Sequence, residues 1–184
     1  MKSEHLLART LKNMMSTQSL DTISVIELSD KCGISRKTFY YHYHDVYDLL
    51  AQVFLDEKIA GTDQTTNVKD LVDLIWKYYE ANKAFVDATL QSAGKDLFLQ
   101  FVYNIFYTAF LRYLDKYDDC KRLKMTAKKA IARFYASGFS NSIVYYLTNF
   151  KSKSYKGLCN CVFFINNENV EKSIQNAIQL DDRM

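Results

Sequence analysis

Apolar residues recur along most of this chain at intervals of three and four, the spacing of one face of an α-helix. Leu6, Leu7, Leu11, Met14 and Met15 predict a first helix from about Ser3 to Ser16. Val25, Leu28 and Cys32 then face inward on a second helix, opened by Ser24 as N-cap, with Glu27 three positions on to complete a capping box. Gly33 ends that helix as a residue able to take positive φ, and Ser35 caps another at once. Two helices about four residues apart with a glycine between them form a helix-turn-helix connection. Asp45 caps a fourth helix, roughly 46–60, which stops near Gly61.

Beyond it, TDQTTN (62–67) is the one clear polar linker of the first half. The expected boundary falls there: a helix-turn-helix domain over 1–50, the fourth helix to about 61 as connector, and a C-terminal domain over 62–184. In that second part the pattern predicts helices at about 68–80, 82–93, 96–117 and 123–150. The polar stretch KSKSYKG follows, with no element predicted over 151–168. A last helix, 168–180, rests on Val170, Ile174, Ala177 and Ile178.

Composition sharpens this picture. The chain has no proline and five glycines in 184 residues, so long helices are permitted nearly everywhere, and an all-β fold, which needs many turns, is excluded. The expected class is all-α. With 48% hydrophobic and 24% charged residues the chain is globular rather than disordered. Eighteen of the 27 aromatic residues fall between Trp76 and Phe150, which puts the main core in the second half. The longest apolar run, LFLQFVYNIFYTAFL (97–111), has 15 residues, short of the about 20 that cross a bilayer. Gln100, Asn104 and Thr108 recur in it every four residues, a polar stripe that either faces solvent or lines a cavity. The N-terminal MKSEHLLART carries charges where a secretion signal needs an apolar run, and the cysteines, Cys32, Cys120, Cys159 and Cys161, are scattered. Cys159 and Cys161 lack a second ligand pair. The expectation is a cytoplasmic protein with reduced thiols, no metal and no cofactor.

The charge is weakly positive, +3, but unevenly spread: residues 31–44 hold Lys31, Arg36, Lys37, His42 and His44 and no acid. Within GISRKTFYYHYHD (33–45), a helical wheel sets Phe39 and Tyr43 with Ile34 on the core side. Lys37, Tyr41 and His44 lie opposite, with Thr38 and Tyr40 at the flanks and Arg36 at the helix start. A helix of this kind, over about 35–43, fits the major groove of double-stranded DNA, where base edges are readable, while Lys, Arg, Tyr and Thr grip phosphates on either side. His42 and His44 would share a metal as an i, i+2 pair only in extended chain. No acid, base and nucleophile can be assembled into a catalytic constellation, so no enzyme is expected and no catalytic residue is assigned.

TISVIELSDKCGISRKTFYYHYHDVYDLL resembles the N-terminal domain of the tetracycline-repressor (TetR/AcrR) family over roughly residues 5–55. The resemblance implies an all-helical homodimer with an N-terminal DNA-binding domain and a C-terminal domain for dimerisation and, usually, a small-molecule inducer. It places DNA contacts on Ser24, on Arg36, Lys37, Thr38, Tyr40, Tyr41 and His42, and on His44. Val46 departs from the pattern, standing where the family commonly has a phosphate-gripping lysine, with His44 or Tyr47 as substitutes; Ile26 stands where a polar contact residue often lies. The arrangement NKAFVDATL…FYASGFSNSIVYYL is similar to the C-terminal domain of a TetR subgroup of low-GC Gram-positive bacteria that includes relatives of a dihydroxyacetone-kinase operon activator. That implies an inducer pocket, with Trp76, Tyr79, Phe101, Asn104, Tyr107 and Tyr135 as candidate lining against simple packing roles.

Gly138, beside Ser137, Ser140 and Ser142, sits mid-helix and lets 131–150 approach a symmetry mate or a neighbouring helix closely; the helices at about 123–150 and 168–180 are expected to form a four-helix dimer interface. The basic cluster KRLKMTAKK (121–129) reads either as a contact to DNA or a partner or as a solvated helix start. The expected function is a sequence-specific regulator reading a palindromic operator, tuned by a small molecule or partner protein and without contact with a membrane. The alternative is a helical protein-interaction module or coactivator-dependent regulator with no small-molecule pocket of its own.

Overall fold

The computed structural model describes residues 2–116, 123–162 and 167–181. Ten α-helices lie among them: α1 (Lys2–Met15), α2 (Val25–Cys32), α3 (Arg36–His42), α4 (Val46–Asp56), α5 (Val68–Ala81), α6 (Lys83–Leu90), α7 (Lys95–Lys116), α8 (Met125–Asn149), α9 (Tyr155–Val162) and α10 (Asn167–Asp181). The fold is all-α. A short 3-10 turn, Leu20–Thr22, precedes α2. Cys120 and residues 121–122 of the basic cluster lie outside the described residues.

Helix ends follow local chemistry, because the first N–H groups of a helix need an outside acceptor. Ser24, Ser35 and Asp45 each supply one from the side chain. At α5 the Asn67 Oδ1 accepts from the Lys69 N–H at 2.8 Å. α4 stops at Asp56, short of the expected 60: Glu57 turns extended and its carboxylate meets Lys12 Nζ at 2.8 Å. α9 stands where no element was predicted. Its N-cap is Ser154, whose Oγ accepts from the Gly157 N–H at 3.1 Å. The buried Tyr146 hydroxyl also holds Ser154, accepting from its N–H at 2.9 Å and donating to its carbonyl at 3.1 Å. A Cβ at Gly157 would stand 2.3 Å from that hydroxyl oxygen, so glycine is required for the approach.

The chain forms two compact units interleaved in sequence: residues 1–58 with 79–101, and residues 59–78 with 102–184. Packing thus groups α6 and the start of α7 with the first four helices, whereas a cut near residue 62 separates them. In the first unit Leu7, Leu11, Leu28, Phe39, Leu49 and Leu50 are fully buried. Phe54 brings in the later segment, its ring 5.6 Å from Phe85, 5.8 Å from Phe98 and 5.5 Å from Phe101. In the second unit Phe106 stacks on Phe139 at 5.2 Å, and Phe110 meets Tyr135 at 5.7 Å, joining α7 to α8. Val170 and Ile174 of α10 are buried in the same unit, and Tyr135 donates to the Asn169 carbonyl at 2.8 Å. Half of the apolar stripe of α10 is thus buried within its own chain, while Ala177 and Ile178 stay partly exposed.

Candidate nucleic-acid interface

The α2–α3 connection is built by three residues. Ser24 Oγ accepts from the Glu27 N–H at 3.1 Å, closing one half of the expected capping box. The reciprocal half does not form, since the Glu27 carboxylate accepts from Gln18 Nε2 at 3.3 Å instead. At the other end Gly33 takes φ 64°, ψ 31°, its N–H on the Asp30 carbonyl, while the Ile34 N–H reaches the Ser29 carbonyl at 3.1 Å. This paired closure ends a helix through a left-handed residue, a position that glycine occupies without steric cost. Ser35 starts α3 at once, its Oγ accepting from the Thr38 N–H at 3.1 Å and lying 2.9 Å from the Thr38 hydroxyl.

A helix of seven residues has little stability alone. Its anchor is Phe39, fully buried, with Tyr43 at 5.8 Å beside it. Tyr43 corrects the wheel: α3 ends at His42, and Tyr43 is extended with φ −138° while its ring stays buried. Burial holds its phenol above the ordinary tyrosine range. His44 likewise lies past the helix, exposed. Arg36 and Lys37 are exposed and in no ion pair among the described residues. Tyr41 is 84% and Tyr40 57% exposed, so two large rings stand in solvent next to two free cations. Two adjoining exposed rings form a patch, and a patch is more informative than a single exposed residue. His42 faces the other way, its Nδ1 3.5 Å from the Glu4 carboxylate of α1. Ser24 is exposed and keeps a hydroxyl hydrogen for an outside acceptor. Ile26 is 53% exposed on α2.

Next to α3, the start of α4 is closed by its own acids. Asp45 Oδ1 accepts from the Asp48 N–H at 2.8 Å, and Asp48 Oδ2 from the His44 N–H at 3.0 Å. Val46 is buried, so its place carries packing and no charge. The Tyr47 hydroxyl donates to the Asp21 carboxylate, a contact between residues 26 apart that periodicity could not reveal. Residues 66–163 match the family model of the TetR-type transcriptional regulator C-terminal region. The chain belongs to the TetR family of transcriptional regulators.

Compared by sequence with curated proteins, this regulator has no significant match. Its fold is similar to the solved structure of the dihydroxyacetone kinase operon activator DhaS, with a TM-score of 0.55 and 18% identity over 97% of this chain and 95% of that one.

The six candidate pocket residues have separate surroundings. In the first unit Tyr79 donates to Asp87 at 3.2 Å and Phe101 packs on Phe54. In the second, Trp76 lies 6.3 Å from Tyr155, Tyr107 stacks on Tyr103 at 5.6 Å, and Tyr135 is bonded to α10. Asn104 is exposed, as are Gln100 and Thr108, which resolves that stripe as a solvent face. These five aromatics have packing partners within their own units. An open apolar groove of about 580 Å³ lies along α8, lined by Ala130, Arg133, Phe134, Tyr135, Ser137 and Gly138. Phe134 is 72% and Tyr145 62% exposed, one side of α8 with Gly138 and Asn141 between them. A Cβ added at Gly138 would meet nothing within 4 Å. Spacing had marked the small residues here; the exposure of Phe134 and Tyr145 could not be read from it.

Proposed function

We propose that this regulator binds a palindromic operator as a homodimer, with α3 of each copy in a major groove and no catalysis. The observation that carries this reading is the outward face of α3. Lys37, Tyr40 and Tyr41 stand exposed on a helix fixed by the Ser35 cap at one end and by buried Phe39 in its middle. Base edges fall to Lys37, Tyr41 and Tyr40, and phosphates to Arg36, Thr38, Ser24 and His44. His42, turned toward Glu4, orients the end of α3 rather than reaching DNA.

The second copy docks on α8. Its exposed side carries two large aromatics around a glycine and an asparagine, a surface suited to a close helix crossing, and the neighbouring edge of α9 adds Asn160 and Cys161 beside Tyr145. α10 packs on α8 through Tyr135, and its partly exposed Ala177 and Ile178 leave it able to join the interface, as the sequence pattern expects. Symmetric pairing of two such chains sets two half-sites one helical turn, or a multiple of it, apart. A small molecule or a partner protein acting on the second unit adjusts the affinity.

Alanine at Lys37 or Tyr41 tests the assignment of α3. Each variant is expected to melt as the wild type does and to lose specific binding on duplex titration. Retention of wild-type affinity by both overturns it.

A further inference from the structure

Asp21 and Tyr47 form a pair that neither helix packing nor capping requires. Asp21 lies in the 3-10 turn Leu20–Thr22, three residues before the Ser24 cap, and is exposed. Tyr47 lies in the first turn of α4, three residues after His44. Their hydrogen bond joins the approach to α2 with the exit from α3, so it sits on the rim of the helix-turn-helix, three residues from Ser24 and three from His44. The hydrogen bond to Asp21 also holds the Tyr47 phenol above the ordinary tyrosine range, with partial burial and the charge of Asp45 acting in the same direction.

Two consequences follow from this placement. A fixed negative charge on that rim repels phosphate, and like charges brought together oppose association. A phenolic hydrogen that donates to Asp21 is also withheld from a phosphate oxygen, which needs the same donor. The start of α4 beside Tyr47 does not offset the charge: Asp45 and Asp48 add acid, and Val46 is buried.

Resting on the DNA-binding reading above, we infer that the Asp21–Tyr47 pair is an affinity brake: Asp21 holds Tyr47 off the phosphate backbone and lowers binding to every duplex alike. While Asp21 keeps its charge the Tyr47 hydroxyl stays on the carboxylate; once that charge is removed the hydroxyl is released to a phosphate oxygen. The brake acts on backbone contacts, so it lowers affinity without altering which sequence is preferred.

The test is fluorescence anisotropy of the full chain on its selected duplex and on a scrambled duplex, at two salt concentrations. The proteins are wild type, Asp21→Asn, Asp21→Glu, Tyr47→Phe and the Asp21→Asn/Tyr47→Phe double variant. Asp21→Asn is expected to tighten both duplexes roughly two- to fivefold, more at low salt, as for one exposed charge removed. Asp21→Glu should match wild type. Tyr47→Phe should change little alone but remove part of the gain in the Asp21→Asn background. Melting curves check folding, and Asp21→Ser replaces Asp21→Asn if the latter is unstable. Unchanged or weaker binding by the charge-removed variant, or an equal cost of Tyr47→Phe in both backgrounds, overturns the brake alone. Failure of wild type and Asp21→Asn to bind any duplex overturns the DNA reading, and the brake with it.

Discussion

Two helices of this protein leave aromatic rings in water, and they do so differently. α3 exposes Tyr40 and Tyr41 beside Arg36 and Lys37, on a short helix whose opposite side is pinned by Phe39. α8 exposes Phe134 and Tyr145 around Gly138 and Asn141, on a helix of 25 residues. The first face is basic and rich in hydrogen-bonding groups; the second is mostly apolar with a glycine at its centre. Aromatic exposure alone therefore names no partner. On the reading proposed above, the residues between the rings separate the two: cations suit a polyanion, small residues another helix.

The comparison breaks most forcefully on the inner side of α3. Phe39→Ala deletes the one fully buried ring of that helix and is expected to destabilise the protein by about 3–5 kcal/mol, read by chemical denaturation. Loss of DNA binding in that variant tracks unfolding, which separates it from changes on the outer face. On α8, Phe134→Glu with Tyr145→Glu should turn a dimer into a monomer by sedimentation while the melting temperature of the chain moves little. Truncating well-packed aromatic anchors typically costs about 2 kcal/mol or more of binding. A dimer unaffected by both changes places the interface elsewhere.

On the outer face of α3, Lys37→Ala should weaken the specific duplex about ten- to a hundredfold, with the oligomeric state unchanged. Measured together, the two sets of variants should separate: one loses pairing first, the other loses DNA and nothing else. Smallest is Ser35→Ala, which removes the cap of α3 and should cost about 1 kcal/mol of stability, with a matching small shift in denaturation midpoint.

Much of the first unit was legible because its signals are local. Ser24, Ser35 and Asp45 cap helices with side chains three residues from their targets, and Gly33 supplies a positive φ within the same turn. A chain read residue by residue contains that information. What escaped depends on distant partners. Tyr43 was set on a helix because its spacing from Phe39 fits one, yet the helix ends first and burial of its ring is achieved by extended chain. His42, which the family resemblance places among the DNA contacts, lies beside Glu4, 38 positions earlier in the chain. α9 has a readable cap in Ser154, but only Leu158 and Val162 as buried apolar residues, and its place is fixed by Tyr146.

The candidate pocket shows the same limit. Hydrophobicity marks Trp76, Tyr107 and Tyr135 without naming what they touch; their neighbours, Tyr155, Tyr103 and α10, come from the fold. The interleaving of the two units was equally hidden, since Phe54 meets Phe85, Phe98 and Phe101 across more than thirty residues of chain.

The claim that α3 reads DNA is tested most directly by selecting bound duplexes from a random library and titrating the enriched sequence at two salt concentrations. The account predicts a palindromic consensus, with half-sites one turn of duplex or a multiple apart, and affinity that falls steeply with salt as phosphate contacts release counterions. No enrichment, or a single asymmetric site with a flat salt dependence, would contradict it.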